Sequence, residues 1–347
     1  MRIGILTYHF GNNYGGILQC YALQQLLIKE GHDVEIINYQ PEKLDKWALF
    51  LRKIKSVEST TQLVELIFRV LKKERIDQNV LGQRHKLNSV FDEFRAHHLI
   101  LSRSLTRDTI GAYTNSHYDA IYVGSDQVWT NLFDNDLIYF LGWMPEFKGR
   151  RLSYAACSAH NHVFHKKQRM ILNSLLQKFE TITVRDVTTM QLVEHITGEK
   201  PQIIEDPTES YGFEDFIKET PTVPYILTYI LGYEISGGHK DAIERIKAKV
   251  GDLPVISITI TRYANMANVA DKIIYTASPI DWLNFIRNAS LVYTDSYHAI
   301  LFSVKFNRPY VAYYKNYIRS SRIFDLKDRR GFENIICDSR DISMLDL

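Results

Sequence analysis

The chain has 347 residues, with 42 Lys plus Arg against 40 Asp plus Glu and a formal net charge of +2. Near-neutrality removes the sequence-independent attraction to phosphate backbones, so no nucleic-acid partner is expected. Charged residues at 24% and hydrophobic ones at 45% exclude a disordered chain, and a length about twice that of a usual domain predicts two of them. Cys20, Cys157 and Cys337 are odd in number, far apart and without a C-x-x-C pair, which argues against a disulfide framework or a structural zinc. The first ten residues lack the flanks of a signal peptide, and no apolar run approaches the ~18–20 residues that span a bilayer. A cytoplasmic, soluble chain is expected.

Arg2 to Thr7 is a short β-branched run, followed by a glycine-bearing loop, Gly11-Asn12-Asn13-Tyr14-Gly15-Gly16. Apolar residues at helical spacing then run from Ile17 to Leu27, Gly31 ends the helix, and Val34 to Tyr39 gives a second strand. Strand, loop, helix, strand is a βαβ unit, which predicts a parallel sheet. Residues 42–107 break that rhythm. They are more basic than acidic, with helix-period positions such as Leu63, Leu66, Ile67, Val70 and Leu71. An inserted helical segment is expected, whose basic face either touches an anionic membrane surface transiently or packs, solvated, on its own domain.

The alternation resumes with strands at Tyr118–Val123, Arg151–Ala156, Thr181–Val184 and Gln202–Ile204, and helices at 165–179 and 188–196. The proline-containing stretch Gly212–Pro224 is the expected linker. Beyond it a second alternation predicts strands at 225–230, 255–260, 272–275, 291–294 and 310–313, with helices at 240–249, 280–288 and 299–306. The fold class is α/β: two doubly wound, Rossmann-like domains, 1–212 and 213–347, with the helical insertion in the first.

Ligands of open parallel sheets bind beyond the carboxyl ends of the strands. That rule selects Asn13 to Gly16, Ser125-Asp126, Ser153 to His162, Arg185-Asp186, Asp206 and Asp295-Ser296-Tyr297-His298. Two facing domains would set these on opposite walls of one cleft, with Arg185 and His298 on the order of 10–15 Å apart in an open form. The glycine loop suits an anion at a helix N-terminus, or is a tight turn without a ligand. It is not a G-x-G-x-x-G, and no P-loop or G-x-S-x-G is present. Arg185, directly after an apolar strand, offers a two-pronged cation for carboxylate or phosphate, or pairs with Asp186. His298, just ahead of the apolar helix Ala299 to Phe302, is placed for proton transfer. Lys315, Arg319 and Arg322 add positive charge to the same region. His160, His162 and His165 lack a supporting acidic ligand, so no metal site is expected.

The ordered motifs Asn13-Tyr14-Gly15-Gly16-Ile17-Leu18-Gln19, Val123-Gly124-Ser125-Asp126-Gln127-Val128-Trp129, Ser153-Tyr154-Ala155-Ala156, Val184-Arg185-Asp186, Asp206-Pro207-Thr208 and Thr294-Asp295-Ser296-Tyr297-His298 resemble the polysaccharide pyruvyl transferase family. The resemblance implies a glycosyltransferase-B-like (GT-B-like) pair of domains. It implies a transferase that moves a pyruvyl group from phosphoenolpyruvate to two hydroxyls of a sugar as a ketal, in capsule, exopolysaccharide or cell-wall polysaccharide biosynthesis. Phosphoenolpyruvate is then a donor substrate and no cofactor is needed. The acceptor is a sugar or a lipid-linked oligosaccharide. The same resemblance maps Arg185 and His298 onto the family's cleft Arg and His, and Arg319 or Arg322 onto a further basic residue. With Asp126 assigned to a sugar hydroxyl, His298, Arg185 and Asp126 are the catalytic candidates, and Asn13, Gly15, Gly16, Gln19, Ser125, Asp295, Ser296, Arg319 and Arg322 the substrate-binding ones. A glycosyltransferase using a nucleotide sugar, and a non-catalytic sugar- or phosphate-binding protein, are the alternative readings.

Overall fold

The computed structural model describes residues 1–39, 78–130, 137–142, 144, 147–159, 164–219, 223–232, 234–260, 266, 268–315 and 317–347. The helix-period positions Leu63 to Leu71, and His160 and His162, lie outside the described residues, as does the middle of the expected linker.

In the first half, strands β1 (Arg2–Leu6), β2 (Asp33–Ile36), β3 (Ala120–Gly124) and β4 (Arg150–Tyr154) form a parallel sheet in the order β2-β1-β3-β4. Parallel β5 (Thr183–Val184) and β6 (Gln202–Ile203) continue beside it, through bridges Leu152–Thr181 and Ala156–Val184. Helix α1 (Tyr14–Lys29) joins β1 to β2. It begins three residues earlier than the sequence spacing predicts, because Asn13 caps it: the side-chain oxygen accepts from Gly16 N–H at 3.2 Å. Helix α2 (Gln78–His98) is the described part of the insertion. The insertion is not helical throughout, since Leu101 and Leu105 return to the sheet edge as bridges to Ile36 and Tyr39. Helices α3 (Arg107–His117), α4 (Lys166–Leu176), α5 (Val187–Thr197) and the single turn α6 (Pro207–Ser210) complete this half.

The second half holds a six-stranded parallel sheet. Its strands are β7 (Ile226–Tyr229), β8 (Val255–Ile258), β9 (Lys272–Ile274), β10 (Leu291–Thr294), β11 (Tyr310–Tyr313) and β12 (Ile335–Ile336), in the order β12-β11-β10-β7-β8-β9. Helices α7 (His239–Val250), α8 (Pro279–Asn288), α9 (Tyr297–Lys305) and α10 (Tyr317–Arg330) connect or follow them. Strands β7, β10 and β11 are buried along their whole length, as strands covered on both faces must be.

The halves are not independent. One apolar cluster contains Ile17, Leu18 and Leu23 of α1, Phe91 and Phe94 of α2, Trp282 and Leu283 of α8, and Ile300 and Phe302 of α9. Tyr14 stacks on Trp282 with centroids 5.4 Å apart, and its hydroxyl donates to the Ala277 carbonyl at 2.9 Å. The expected linker is anchored at its start: Phe213 and Phe216 are buried against Tyr21 and Phe94. Helix α10 reaches back to the first half, where Asp325 accepts from Val187 N–H at 3.1 Å and Ser321 donates to the Ala159 carbonyl. Its 3.6-residue pattern was hidden by Arg and Asp, since only Ile323 and Leu326 of its described side chains are buried.

Candidate active site

Each sheet reverses strand order beside its first strand, between β1 and β3 and between β7 and β10, and such points leave a crevice at the strand ends. After β3 the chain turns at Gly124, whose φ of +114 and closeness to the Tyr154 carbonyl admit no side chain. The Gly124–Ser125 peptide is cis. Asp126 follows at φ +67, an uncommon conformation for a residue other than glycine. The Ser125 hydroxyl donates to the Ala155 carbonyl at 3.0 Å, which ties this turn to the one after β4.

Arg185, at the end of β5, is wholly buried, with its side chain 1% exposed. Nη1 donates to Asp206 Oδ2 at 2.6 Å, and Nη2 lies 3.4 Å from Asp126 Oδ1. The guanidinium carbon stands 4.6 Å from the Tyr297 ring centroid, a cation–π distance. Arg185 is therefore not an open cation in a cleft, and it is not paired with Asp186. Asp186 instead caps α5, accepting from Thr189 N–H and Oγ1 at 2.8 and 2.9 Å. Arg185 and His298 are also far closer than two cleft walls would set them: His298 Nε2 is 3.5 Å from the same Asp206 oxygen. The halves are packed shut at this point, which is why the expected 10–15 Å gap is absent.

Burial works against the charge on both carboxylates, yet both are held below the usual range. For Asp126 the opposing force comes from Arg185, then His298 and Arg322. For Asp206 it comes from His298, Arg185 and the Thr208 N–H, and it holds the carboxyl far below. Buried charges of both signs thus stabilise one another, as they must when water is excluded.

The N-terminus of α1 closes the site from the other side. Gly15 lies against His298, and a Cβ there would fall on Cγ and Nδ1 of the imidazole. Glycine is required because two domains meet at this backbone, not because the turn needs it. Gly16 is tight as well, since a Cβ there would come within 3.3 Å of the Asn13 side chain. Gln19, fully buried, donates to Thr7 Oγ1 at 3.1 Å and to the Gly16 carbonyl at 2.9 Å, and Thr7 Oγ1 donates to the Ser125 carbonyl. Asn13 thus caps α1 and the Gln19 amide nitrogen ties α1 to the turn after β1, while the buried Gln19 Oε1 has no partner among the described residues.

Arg322, half-buried on α10, stands 5.4 Å from the Tyr297 ring centroid. The Gln127 amide, turned with its oxygen toward it, accepts from Nη2 at 2.7 Å and Nε at 3.1 Å. The Arg319 side chain lies outside the described residues. Ser296 caps α9, accepting from Ala299 N–H at 3.4 Å. Asp295 turns away from this group. Its two oxygens accept from Leu231 and Gly232 N–H at 2.7 and 2.6 Å, so it closes the second sheet's own crevice. Among the described residues no three His, Cys, Asp or Glu side chains group as a metal site.

Two members of this group, Asp206 and Tyr297, are selected by sequence as strand-end residues but without a role. Asp206 opens an Asp-Pro-Thr-Glu capping box, with Thr208 N–H and Oγ1 donating to Oδ1 at 3.0 and 2.8 Å. That signature announces a helix start and conceals the second oxygen's role.

A buried Arg–carboxylate–His group thus stands where two parallel α/β sheets meet, beside a helix N-terminus. The chain belongs to the polysaccharide pyruvyl transferase family, whose model matches residues 13–316. No curated protein sequence matches it. Among solved structures it is similar to a putative UDP-N-acetylglucosamine 2-epimerase from Listeria monocytogenes, with a TM-score of 0.55, 11% identity, and 99% of this chain and 86% of that one covered. It is also similar to the UDP-GlcNAc 2-epimerase of Methanocaldococcus jannaschii in complex with UDP-GlcNAc and UDP, with a TM-score of 0.53, 12% identity, and 99% and 91% covered. Arabidopsis thaliana UGT89C1 complexed with UDP-L-rhamnose follows, with a TM-score of 0.51, 11% identity, and 99% and 88% covered. At such identity the likeness is one of fold: two Rossmann-like domains in the GT-B-like arrangement. Among the described residues no helix is long and apolar enough to cross a membrane.

Proposed function

We propose that this protein transfers the pyruvyl group of phosphoenolpyruvate to two hydroxyls of a sugar, free or lipid-linked, during surface polysaccharide or cell-wall glycan assembly in the cytoplasm. The observation that carries the reading is the Asp206-centred group, with Arg185 at 2.6 Å and, from the other half, His298 at 3.5 Å, whose ring packs on Gly15. We take 1–212 and 213–347 as the two working units.

In this reading His298 gives a proton to the methylene carbon of the donor, which becomes the methyl group. The cationic centre formed at C2 takes one sugar hydroxyl, inorganic phosphate leaves, and a second hydroxyl of the same sugar closes the ketal. One hydroxyl proton restores His298 and the other departs with phosphate, so the reaction balances without redox chemistry or a cofactor. Arg322 and the N-terminus of α1 receive the donor's anionic groups. Asp126, ionised, accepts a hydrogen bond from an acceptor hydroxyl.

The fold likeness to nucleotide-sugar enzymes supports a second reading, transfer from a nucleotide sugar. Thermal shift separates the two, because a ligand that binds only the folded state raises Tm. Phosphoenolpyruvate should stabilise the protein and UDP-sugars should not. Stabilisation by a UDP-sugar alone would replace the first reading with the second.

A further inference from the structure

Arg185 looked from sequence like the group that grips the donor, but its position leaves it little access. It is buried, faces Tyr297, and has one Nη on Asp206 and the other near Asp126. An incoming phosphate would have to displace a carboxylate to reach either nitrogen. Asp206, completely buried, is the centre of the group. Oδ1 is committed to Thr208 N–H and Oγ1. Oδ2 takes Arg185 Nη1 at 2.6 Å, receives the Ser125 hydroxyl at 3.4 Å, and faces His298 Nε2 at 3.5 Å.

The imidazole has two distinguishable edges. Its Cγ–Nδ1 side packs on Gly15, at the start of α1 where backbone N–H groups point outward. Its Nε2 side faces the Asp206 carboxylate, which can only accept. The charged groups around the ring are Asp206, Arg185, Asp126 and Arg322, with the Tyr297 ring beside it. Among the described residues Asp206 is the carboxylate that Nε2 faces, and this buried nitrogen makes no hydrogen bond of full geometry there.

We infer that Asp206 is a positioning residue that keeps one proton of His298 on Nε2, so that Nδ1 is the nitrogen that exchanges the transferred proton, and that Arg185 acts by holding Asp206 rather than by gripping the donor. The inference rests on the pyruvyl-transfer reading only for the use of Nδ1 in proton exchange, not for the place of the Nε2 proton. Arg185 fixes which way the carboxylate faces. Asp206 fixes the tautomer of the ring, and the tautomer decides which edge can give a proton to carbon.

The test is the nitrogen-15 NMR signature of His298 at about pH 9, where an imidazole is ordinarily neutral and its tautomer is readable. The resonance is assigned by its loss in His298→Gln. The wild type should carry its proton on Nε2. In Asp206→Asn only one acceptor oxygen survives. If it stays on the Thr208 donors, the amide NH2 faces Nε2 and drives the proton to Nδ1. Turnover should then fall on the order of 10²-fold while phosphoenolpyruvate, judged by thermal shift, still binds, a split that a merely structural role would not produce. A wild-type proton on Nδ1, or an unchanged tautomer in Asp206→Asn, overturns the inference. The wild-type spectrum alone decides the matter if the variant does not fold. Failure of phosphoenolpyruvate to bind, with the tautomer as expected, would strike the donor reading and leave the positioning role standing.

Discussion

The strand ends of the two sheets share a geometry and differ in charge. At the first, two buried carboxylates, Asp126 and Asp206, surround a buried arginine and stay ionised. At the second, Asp295 sits among Tyr229, Tyr293 and Tyr313 with no cation of its own among the described partners. Burial pushes its carboxyl up to about 6, against the pull of the Leu231 and Gly232 N–H groups. Burial likewise lowers the pKa of His239, whose Nδ1 meets the Tyr293 hydroxyl at 3.0 Å. Parallel strands of the same kind thus end in carboxyls held below the usual range or in one pushed above it. The deciding factor is whether a guanidinium arrives from a neighbouring strand.

The largest effect should come from removing that guanidinium. Arg185→Gln strands two buried carboxylates and should cost about 3–5 kcal/mol of stability, read by denaturant unfolding. Arg185→Lys keeps the charge but loses the fork. It should lower Tm and turnover together, because one ammonium cannot face both Asp126 and Asp206 as the guanidinium does. An Arg185→Lys protein with wild-type Tm and turnover would break the comparison, by showing that the two-pronged geometry carries nothing.

Gly15→Ala and His298→Gln test the contact between halves. The new methyl at Gly15 must move the imidazole, so turnover should fall by about 10²-fold or more, with an overpacking cost of about 1–3 kcal/mol. His298→Gln should depress turnover as strongly, leave donor affinity near wild type, and erase one limb of the pH–rate profile. Equal turnover in Gly15→Ala would mean that the halves part during catalysis.

The smallest expected effect is a pH signature. Asp295 binds its proton more tightly folded than unfolded, where its carboxyl titrates near 3.8. Its contribution is therefore favourable when protonated and is lost as pH rises from about 4 to about 6. Asp126 and Asp206 behave oppositely: their contribution is present at neutral pH and is lost as pH falls through and below the normal carboxylate range. The stability advantage of the wild type over Asp295→Asn should thus be larger at pH 4 than at pH 7, by roughly 1–3 kcal/mol. A pH-independent difference would mean that Asp295 is solvated enough to titrate normally.

Much of the fold could be read along the chain. Strands β10 and β11 fall where the sequence placed them, because continuous β-branched and aromatic runs between turns signal buried parallel strands. Helix α10 could not be read that way, since its pattern is dominated by Arg and Asp, some of which bond to the other half. The site was legible as a set of strand-end residues and misread as a set of contacts. Asp295 and Asp126 occupy equivalent places in the sequence pattern, yet one closes a turn and the other meets Arg185.

Local chemistry fixes what a short segment reveals: Asn13, Asp186, Asp206 and Ser296 cap helices that begin immediately after them, within hydrogen-bond reach of their own neighbours. Period, caps and turns are interactions over a few residues, so residue order suffices to specify them. The pairing of Arg185 is different. Its adjacent carboxylate, Asp186, is spent on a cap, and its partners lie 21 and 59 residues away in sequence. Which buried charges meet depends on how β3, β5 and β6 line up and on how the second half packs down on α1. Those are long-range packing outcomes, and in a medium that excludes water they decide which groups stay charged.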